Sequence, residues 1–246
     1  MRDARSIMGM TIEIEILGND PARTSEMAFK YLTEVDKQFS VYKEDSEISR
    51  INRGEIKDED ISSAMRRVFV LAEKTREETN GYFNMRCSDG TVDPSGVVKG
   101  WAIKNTAELI KKAGYKNFFV NAGGDIASSG KNEKGEEWSF GIKNPFQTDE
   151  IIKVVYPRGK GVATSGSYLR GSHIYNPLQS SDELREIVSV TVIGPDVLEA
   201  DRFATAVFAM GKEGIIFLEQ LAGFEGYSID KNGIATMTSG FSLYLK

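Results

Sequence analysis

The sequence predicts an α+β fold in which a mixed or antiparallel sheet is flanked by helices. Three observations carry that prediction. Thr11–Leu17 alternates polar residues with Ile12, Ile14 and Ile16, the period-2 pattern of a half-buried strand. Apolar residues at helical spacing then dominate the first half of the chain, whereas the second half reads mostly as strands. The two kinds of element do not alternate regularly, which argues against a doubly wound parallel sheet. With no fixed-period repeat, low-complexity tract or Pro-rich linker, residues 1–246 are expected to form a single domain.

After the first strand, Ala28, Tyr31, Leu32, Val35 and Phe39 predict a helix over 23–39, with Asp20-Pro21 as its start signal. Ile61, Ala64, Met65, Val68 and Ala72 predict a second helix over 59–79, ended by Asn80-Gly81. Residues 81–100 are rich in Gly, Ser, Asp and Pro and read as a loop. A third helix is expected over 98–113, then a strand over 117–121 and a turn at Gly123-Gly124-Asp125. Strands follow over 138–143, 152–156, 161–163 and 187–193, and a last long helix over 197–222 turns Ala200, Ala204, Val207 and Phe208 inward. Two or three strands around Asn232-Gly233 and Ser239-Gly240 close the chain.

Composition narrows the chemistry. Of 246 residues, 40% are hydrophobic and 27% charged, as in a globular protein that can bury a full core. A net charge of −5 provides no basic field for a nucleic-acid partner. The single cysteine, Cys87, excludes an internal disulfide and a thiolate metal cage; the single histidine, His173, excludes a multi-histidine centre. No apolar run approaches the roughly 18 residues of a membrane span, and no leader pattern is seen, so a cytoplasmic protein without membrane insertion is expected. Any metal must be a hard one, held by oxygen. The 24 glycines are left to explain, and those at 96, 100, 123, 124 and 166 are expected where backbone approaches a ligand closely.

Three segments concentrate polar groups. Asp93-Pro94-Ser95-Gly96-Val97-Val98-Lys99-Gly100-Trp101 runs a loop into a helix. Its backbone N–H groups and Lys99 suit a phosphate, although the spacing is not that of a P-loop and an ordinary capped helix start has the same appearance. Ala163-Thr164-Ser165-Gly166-Ser167 ends a strand in small hydroxyl residues, with Ser165 placed to meet a ligand. His173 follows; an imidazole titrating near pH ~6.5 can take a proton from a hydroxyl, or simply sit beside a surface turn. Asp201 and Thr205 share one helix face a turn apart. They suit Mg²⁺, which prefers oxygen donors and keeps positions open, while the alternative is an acid complementing a helix N-terminus.

These segments resemble the ApbE family of flavin transferases, which move FMN from FAD onto a threonine or serine of an acceptor protein. The resemblance is carried, in order, by Met8-Gly9-Met10 ahead of the first strand, Phe39-Ser40-Val41-Tyr42, and Asp45–Asn52. It continues through Asp93–Trp101, Val120–Ile126, Ala163–Gly166, His173-Ile174-Tyr175-Asn176-Pro177 and Ala200–Ala206. It implies that Asp201 and Thr205 bind Mg²⁺ through their side chains and Gly96 through its carbonyl. It also implies that Met8, Tyr42, Asp93, Lys99 and Ile174 contact FAD, together with Tyr82, Phe83 and Asn84, and that His173 is the base that deprotonates the acceptor hydroxyl. The implied fold is a single ApbE-like domain, and the implied partners are FAD and an acceptor flavoprotein subunit.

Three departures from the family pattern stand out. The family's usual Gly-x-Phe-Asp-Pro-Thr is here Gly81-Tyr82-Phe83-Asn84-Met85-Arg86. The stretch from Phe83 to Asp93 is much shorter than usual, and Asn176-Pro177-Leu178-Gln179-Ser180 replaces Asp-Pro-x-Thr-Gly. Beside Mg²⁺-dependent FMN transfer with release of AMP, the sequence leaves open hydrolysis of the FAD pyrophosphate and a protein that binds FAD without turnover. It does not indicate the oligomeric state or the acceptor.

Overall fold

The computed structural model describes residues 1–167, 177–178 and 186–246. It is an α+β structure whose main sheet is antiparallel throughout. β1 (Arg2–Ile7) and β2 (Met10–Leu17) form a hairpin. Its two turn residues, Met8 and Gly9, have φ of +56° and +71°, the left-handed pair that matches the twist of a tight hairpin. Met8-Gly9 therefore joins the first two strands, where the sequence placed it ahead of the first. Strand β1 escaped the reading because Arg2, Asp3 and Arg5 make it a charged edge with no apolar alternation.

Ile12, Ile14 and Ile16 of β2 are buried opposite Ala122, Val120 and Phe118 of β3 (Asn117–Ala122). Against this face packs α1 (Ala22–Phe39), with Ala28, Phe29, Leu32, Val35 and Phe39 inward. α2 (Glu47–Asn52), capped by the Ser46 hydroxyl accepting the Ser49 N–H at 3.1 Å, is too short to show a period. α3 (Ser63–Glu78) starts four residues later than expected: the Ser62 hydroxyl caps it by accepting the Met65 N–H, and the acidic Asp58–Asp60 forms a separate 3-10 turn. α4 (Ser95–Lys112) starts three residues earlier than expected, directly after Pro94.

Gly123 and Gly124 turn the chain at positive φ, and Asp125 opens β4 (Asp125–Ser129), a strand the sequence reading lacked. β5 (Phe140–Lys143) and β6 (Ile151–Val155) pair as a separate hairpin. β7 (Gly161–Gly166) and β8 (Ile187–Gly194) return to the main sheet. The long helix expected over 197–222 is two, α5 (Val197–Met210) and α6 (Glu213–Glu219), because Gly211 at φ +68° ends the first. β9 (Glu225–Asp230) and β10 (Ala235–Met237) complete the sheet, whose order is β1-β2-β3-β4-β7-β8-β9-β10.

The two faces are covered differently. Val190 and Val192 of β8 face α5, where Ala200, Ala204, Val207 and Phe208 are buried as the sequence predicted. Ile193 points the other way, and joins Ile126, Val162, Tyr227 and Ile229 under the β5–β6 hairpin and Phe241. The helices on the first face converge where α4 meets α5, and there the chain has no room for a side chain. A Cβ on Gly100 would sit 2.7 Å from the Asp201 Cβ and 2.9 Å from the Leu198 Cα. Gly100 serves contact between helices, not the approach to a ligand expected of it.

Replacing Gly100 by alanine tests this contact. In an unencumbered helix the change would stabilise by ~0.5–1 kcal/mol, but overpacking of a close contact costs ~1–3 kcal/mol. Gly100→Ala is therefore expected to lower the urea midpoint, and a raised midpoint would show that the two helices can separate without cost.

Candidate active site

A cavity of about 370 Å³ opens beside that crossing. Its walls come from the β1–β2 turn, the loop over 82–93, the start of α4, Gly123, the end of β7 and the first half of α5. Tyr82, Phe83, Asn84 and Asp93 line one side. Gly96, Lys99, Ser165, Asp201 and Thr205 line the rest. Residues from four distant segments that the sequence singled out thus share one space.

Other expectations fare differently. His173 and Ile174 lie outside the described residues. Tyr42 stands 91% exposed and does not line the cavity: after α1 the chain turns back on Ser40, whose hydroxyl accepts the Tyr42 N–H, and the ring is left in solvent. Met8 is in the hairpin turn beside Gly9 and Met10, which do line the cavity. The expected free N–H groups at the start of α4 are largely taken. Asp93 Oδ1 accepts the Ser95 N–H at 2.9 Å, and the Pro94 carbonyl accepts those of Val97 and Val98. The Asp93 carboxylate thus binds one N–H at the helix start, although the N-cap residue, Pro94, has no side-chain cap.

The shortened segment before α4 is a small hairpin. Met85 and Asp93 are joined by a 2.7 Å backbone bond, and Arg86 bridges Val92. Asn52, on α2, accepts the Val92 N–H at 2.8 Å and donates to its carbonyl at 3.0 Å, so a side chain stands in for a neighbouring strand. Cys87 lies at the hairpin's tip on the cavity wall. Neither Asn52 nor Cys87 carried a signal in the sequence by which its role could be read.

The floor of the site is a buried charge cluster. Asp201, on the second turn of α5, is 2% exposed, and its Oδ2 accepts the Gly100 N–H at 2.7 Å. The Lys99 ammonium lies 3.4 Å from Asp201 Oδ1 and 2.6 Å from Oδ2 of Asp125, which is fully buried. Burial is the main force on the Asp201 carboxyl, and raises its pKa from 3.8 to about 7. Lys99 opposes that rise, Asp125 beside it adds to it, and the Gly100 N–H opposes it again. The sequence places Asp125 in a turn and in the Val120–Ile126 motif without giving it a role of its own. An acid directly after two glycines and before the apolar Ile126-Ala127 was the available signal that it would be buried.

The donor set fits a hard cation. Thr205 is one turn beyond Asp201, and its methyl is 3.3 Å from where a Gly96 Cβ would stand, so Gly96 and Thr205 are neighbours across the two helices. The Gly96 carbonyl stands one turn before Gly100 on α4, and a carbonyl oxygen has two lone pairs, so it has acceptor capacity beyond any helical bond. One carboxylate, one hydroxyl and one carbonyl suit Mg²⁺ and leave positions for water and phosphate oxygens. Among the described residues no group of three or more His, Cys, Asp or Glu side chains forms a self-sufficient metal cage.

Comparisons with known proteins bear on the family and the fold. The chain matches the ApbE family over residues 8–90 and 86–227. It is similar to the FAD:protein FMN transferase of Escherichia coli strain K12, 32% identical over 161 residues that cover 62% of this chain. The chain spans less than half the length of the Klebsiella pneumoniae and E. coli proteins it matches, 43% and 46%. The FAD:protein FMN transferase of Salmonella typhimurium is 24% identical, with 92% of this chain and 83% of that protein covered. Among solved structures, the flavin transferase ApbE from Vibrio cholerae superposes with a TM-score of 0.86, and the ApbE protein of Thermotoga maritima with 0.87. Both superpositions cover 100% of this chain and 99% of the other, at 23% and 20% identity, and show a common fold. No helix among the described residues is long and apolar enough to cross a membrane.

The raised Asp201 pKa has a measurable consequence. Between pH 3.8 and about 7 the unfolded chain has released this proton while the folded chain retains it, so the group's contribution to stability falls as pH rises through that window. Thermal melts of the metal-free protein should show that decline, and Asp201→Asn should flatten it. Since a cation needs the ionised carboxylate, Mg²⁺ affinity should rise over the same window in titration calorimetry. Affinity independent of pH would mean that Asp201 is ionised throughout.

Proposed function

Because the chain belongs to the ApbE family, we propose that it is a transferase that moves FMN from FAD to a threonine or serine hydroxyl of an acceptor protein and releases AMP. The observation that carries this reading is the convergence of Lys99, Asp201, Thr205 and Gly96 on one cavity, with Asp125 buried behind Lys99. Asp201, Thr205 and the Gly96 carbonyl would hold Mg²⁺, which when bound neutralises pyrophosphate charge. Lys99 adds a second positive charge beside the phosphates. Phe83, buried against Gly96, and Tyr82 offer apolar surface to the rest of the dinucleotide.

In the proposed reaction His173 takes the proton of the acceptor hydroxyl. The hydroxyl oxygen forms a bond to the FMN-side phosphorus as the bond from that phosphorus to the bridging oxygen breaks. The bridging oxygen departs with AMP. The acceptor therefore keeps FMN through a phosphoester, and no redox change occurs. The acceptor is proposed to be a flavoprotein subunit.

The test mixes the protein with FAD, Mg²⁺ and an acceptor bearing the target sequence of a related transferase. A covalent fluorescent band on a denaturing gel is expected, and its absence beside a working control would overturn the reading. Appearance of FMN and AMP without a band would make the protein a pyrophosphatase. Asp201→Ala should remove activity and Mg²⁺ binding together. His173→Ala should abolish transfer, at least 100-fold by the scale of lost acid–base catalysis, while FAD binding persists. Mn²⁺ should replace Mg²⁺ better than Zn²⁺ does, since the proposed ligands are all oxygen.

A further inference from the structure

Asp125 has no part in the reaction just described, yet it is the most deeply buried charge beside the cavity. It does not line the cavity itself. Its Oδ1 accepts the Thr164 N–H at 3.1 Å, at a seam where β4 and β7 share one register pair, Ile126 with Val162. Its Oδ2 lies 2.6 Å from the Lys99 ammonium, and the Asp201 carboxyl stands beside it, within side-chain hydrogen-bonding reach. Lys99, by contrast, keeps 21% of its side chain exposed and does line the cavity. A lysine is a point charge on a flexible stem, so its position is set by what it pairs with. Of the two carboxylates paired with Lys99 among the described residues, Asp125 is the one outside the proposed cation site.

We propose that Asp125 is a positioning residue, which holds the Lys99 ammonium at the cavity wall to meet FAD phosphate while fixing Thr164 of β7, which also lines the cavity. The proposal rests on the reading that the cavity takes FAD. It concerns binding, so it can be tested without an acceptor.

The experiment measures FAD dissociation constants by flavin fluorescence at saturating Mg²⁺, for the native chain, Asp125→Asn, Lys99→Met and the double variant. Asp125→Asn keeps the acceptor for Thr164 and removes the charge beside Lys99. It is expected to weaken FAD about tenfold, Lys99→Met by a similar factor, and the double variant no more than Lys99→Met alone. A residue that only supports the fold would make the losses multiply, and that result, or native affinity in Asp125→Asn, overturns the proposal. Should Asp125→Asn not fold, Lys99→Arg decides: it keeps the charge but not the position, so weakened FAD binding supports the proposal and native binding overturns it. Native protein that binds FAD without transferring it would defeat the transferase reading and leave this one standing. Native protein that does not bind FAD defeats both.

Discussion

Two buried carboxylates and one half-buried ammonium meet beside the crossing of α4 and α5, and the surrounding structure is arranged to make that tolerable. A buried carboxylate needs donors, and Asp201 finds one in the Gly100 N–H only because position 100 carries no side chain. That close approach sets the separation of the two helices. It also brings Gly96 against Thr205, and it opens the cavity above them to Lys99. Remove the glycine and the charge loses its donor; remove the charge and the contact has no polar reason to persist.

The rest of α5 is committed with equal strictness. Asp201 faces α4, while the next residue, Arg202, is 2% exposed and reaches α3, where it pairs with Glu78. Glu199 completes its partners at 2.5 Å, and the guanidinium lies 4.4 Å from the Phe203 ring centroid. Two successive residues of opposite charge thus lock the helix on both sides. Buried pairs of this kind contribute little net stability, but breaking one leaves a costly unpaired charge. Asp201, a carboxylate that lines the cavity, is therefore carried on an element that cannot rotate freely.

The loop over 82–93 is tied at several points: Phe83 and Met85 are buried in the core, Asn52 pairs both backbone groups of Val92, and Asp93 Oδ1 accepts the Ser95 N–H at the start of α4. The segment is a short hairpin anchored at both ends. Its tip places Cys87 on the cavity wall, while Phe83 at its base is buried against Gly96.

Local pattern made much of this legible in the sequence. Ile12, Ile14 and Ile16 announced β2, the stripe from Ala28 to Phe39 announced α1, and Ala200, Ala204 and Val207 announced the buried face of α5. Those signals are visible because burial of one face imposes a period on neighbouring residues. Elements without such a face were silent: the charged edge β1, the short α2, and β4, which starts on a buried acid. The ordered motifs also determined the family and collected most of the cavity's lining. Only the tertiary structure decided what the charges do. Gly100 and Asp201 are 101 residues apart, and neither carries a local sign that one will donate to the other. Lys99 and Asp125 likewise acquire each other only when α4 packs on the sheet, and Tyr42 is excluded from the cavity by a turn that its own residue type does not specify. Periodicity is a property of adjacent residues, whereas the partner of a buried charge is chosen by whatever the fold brings within about 3 Å of it.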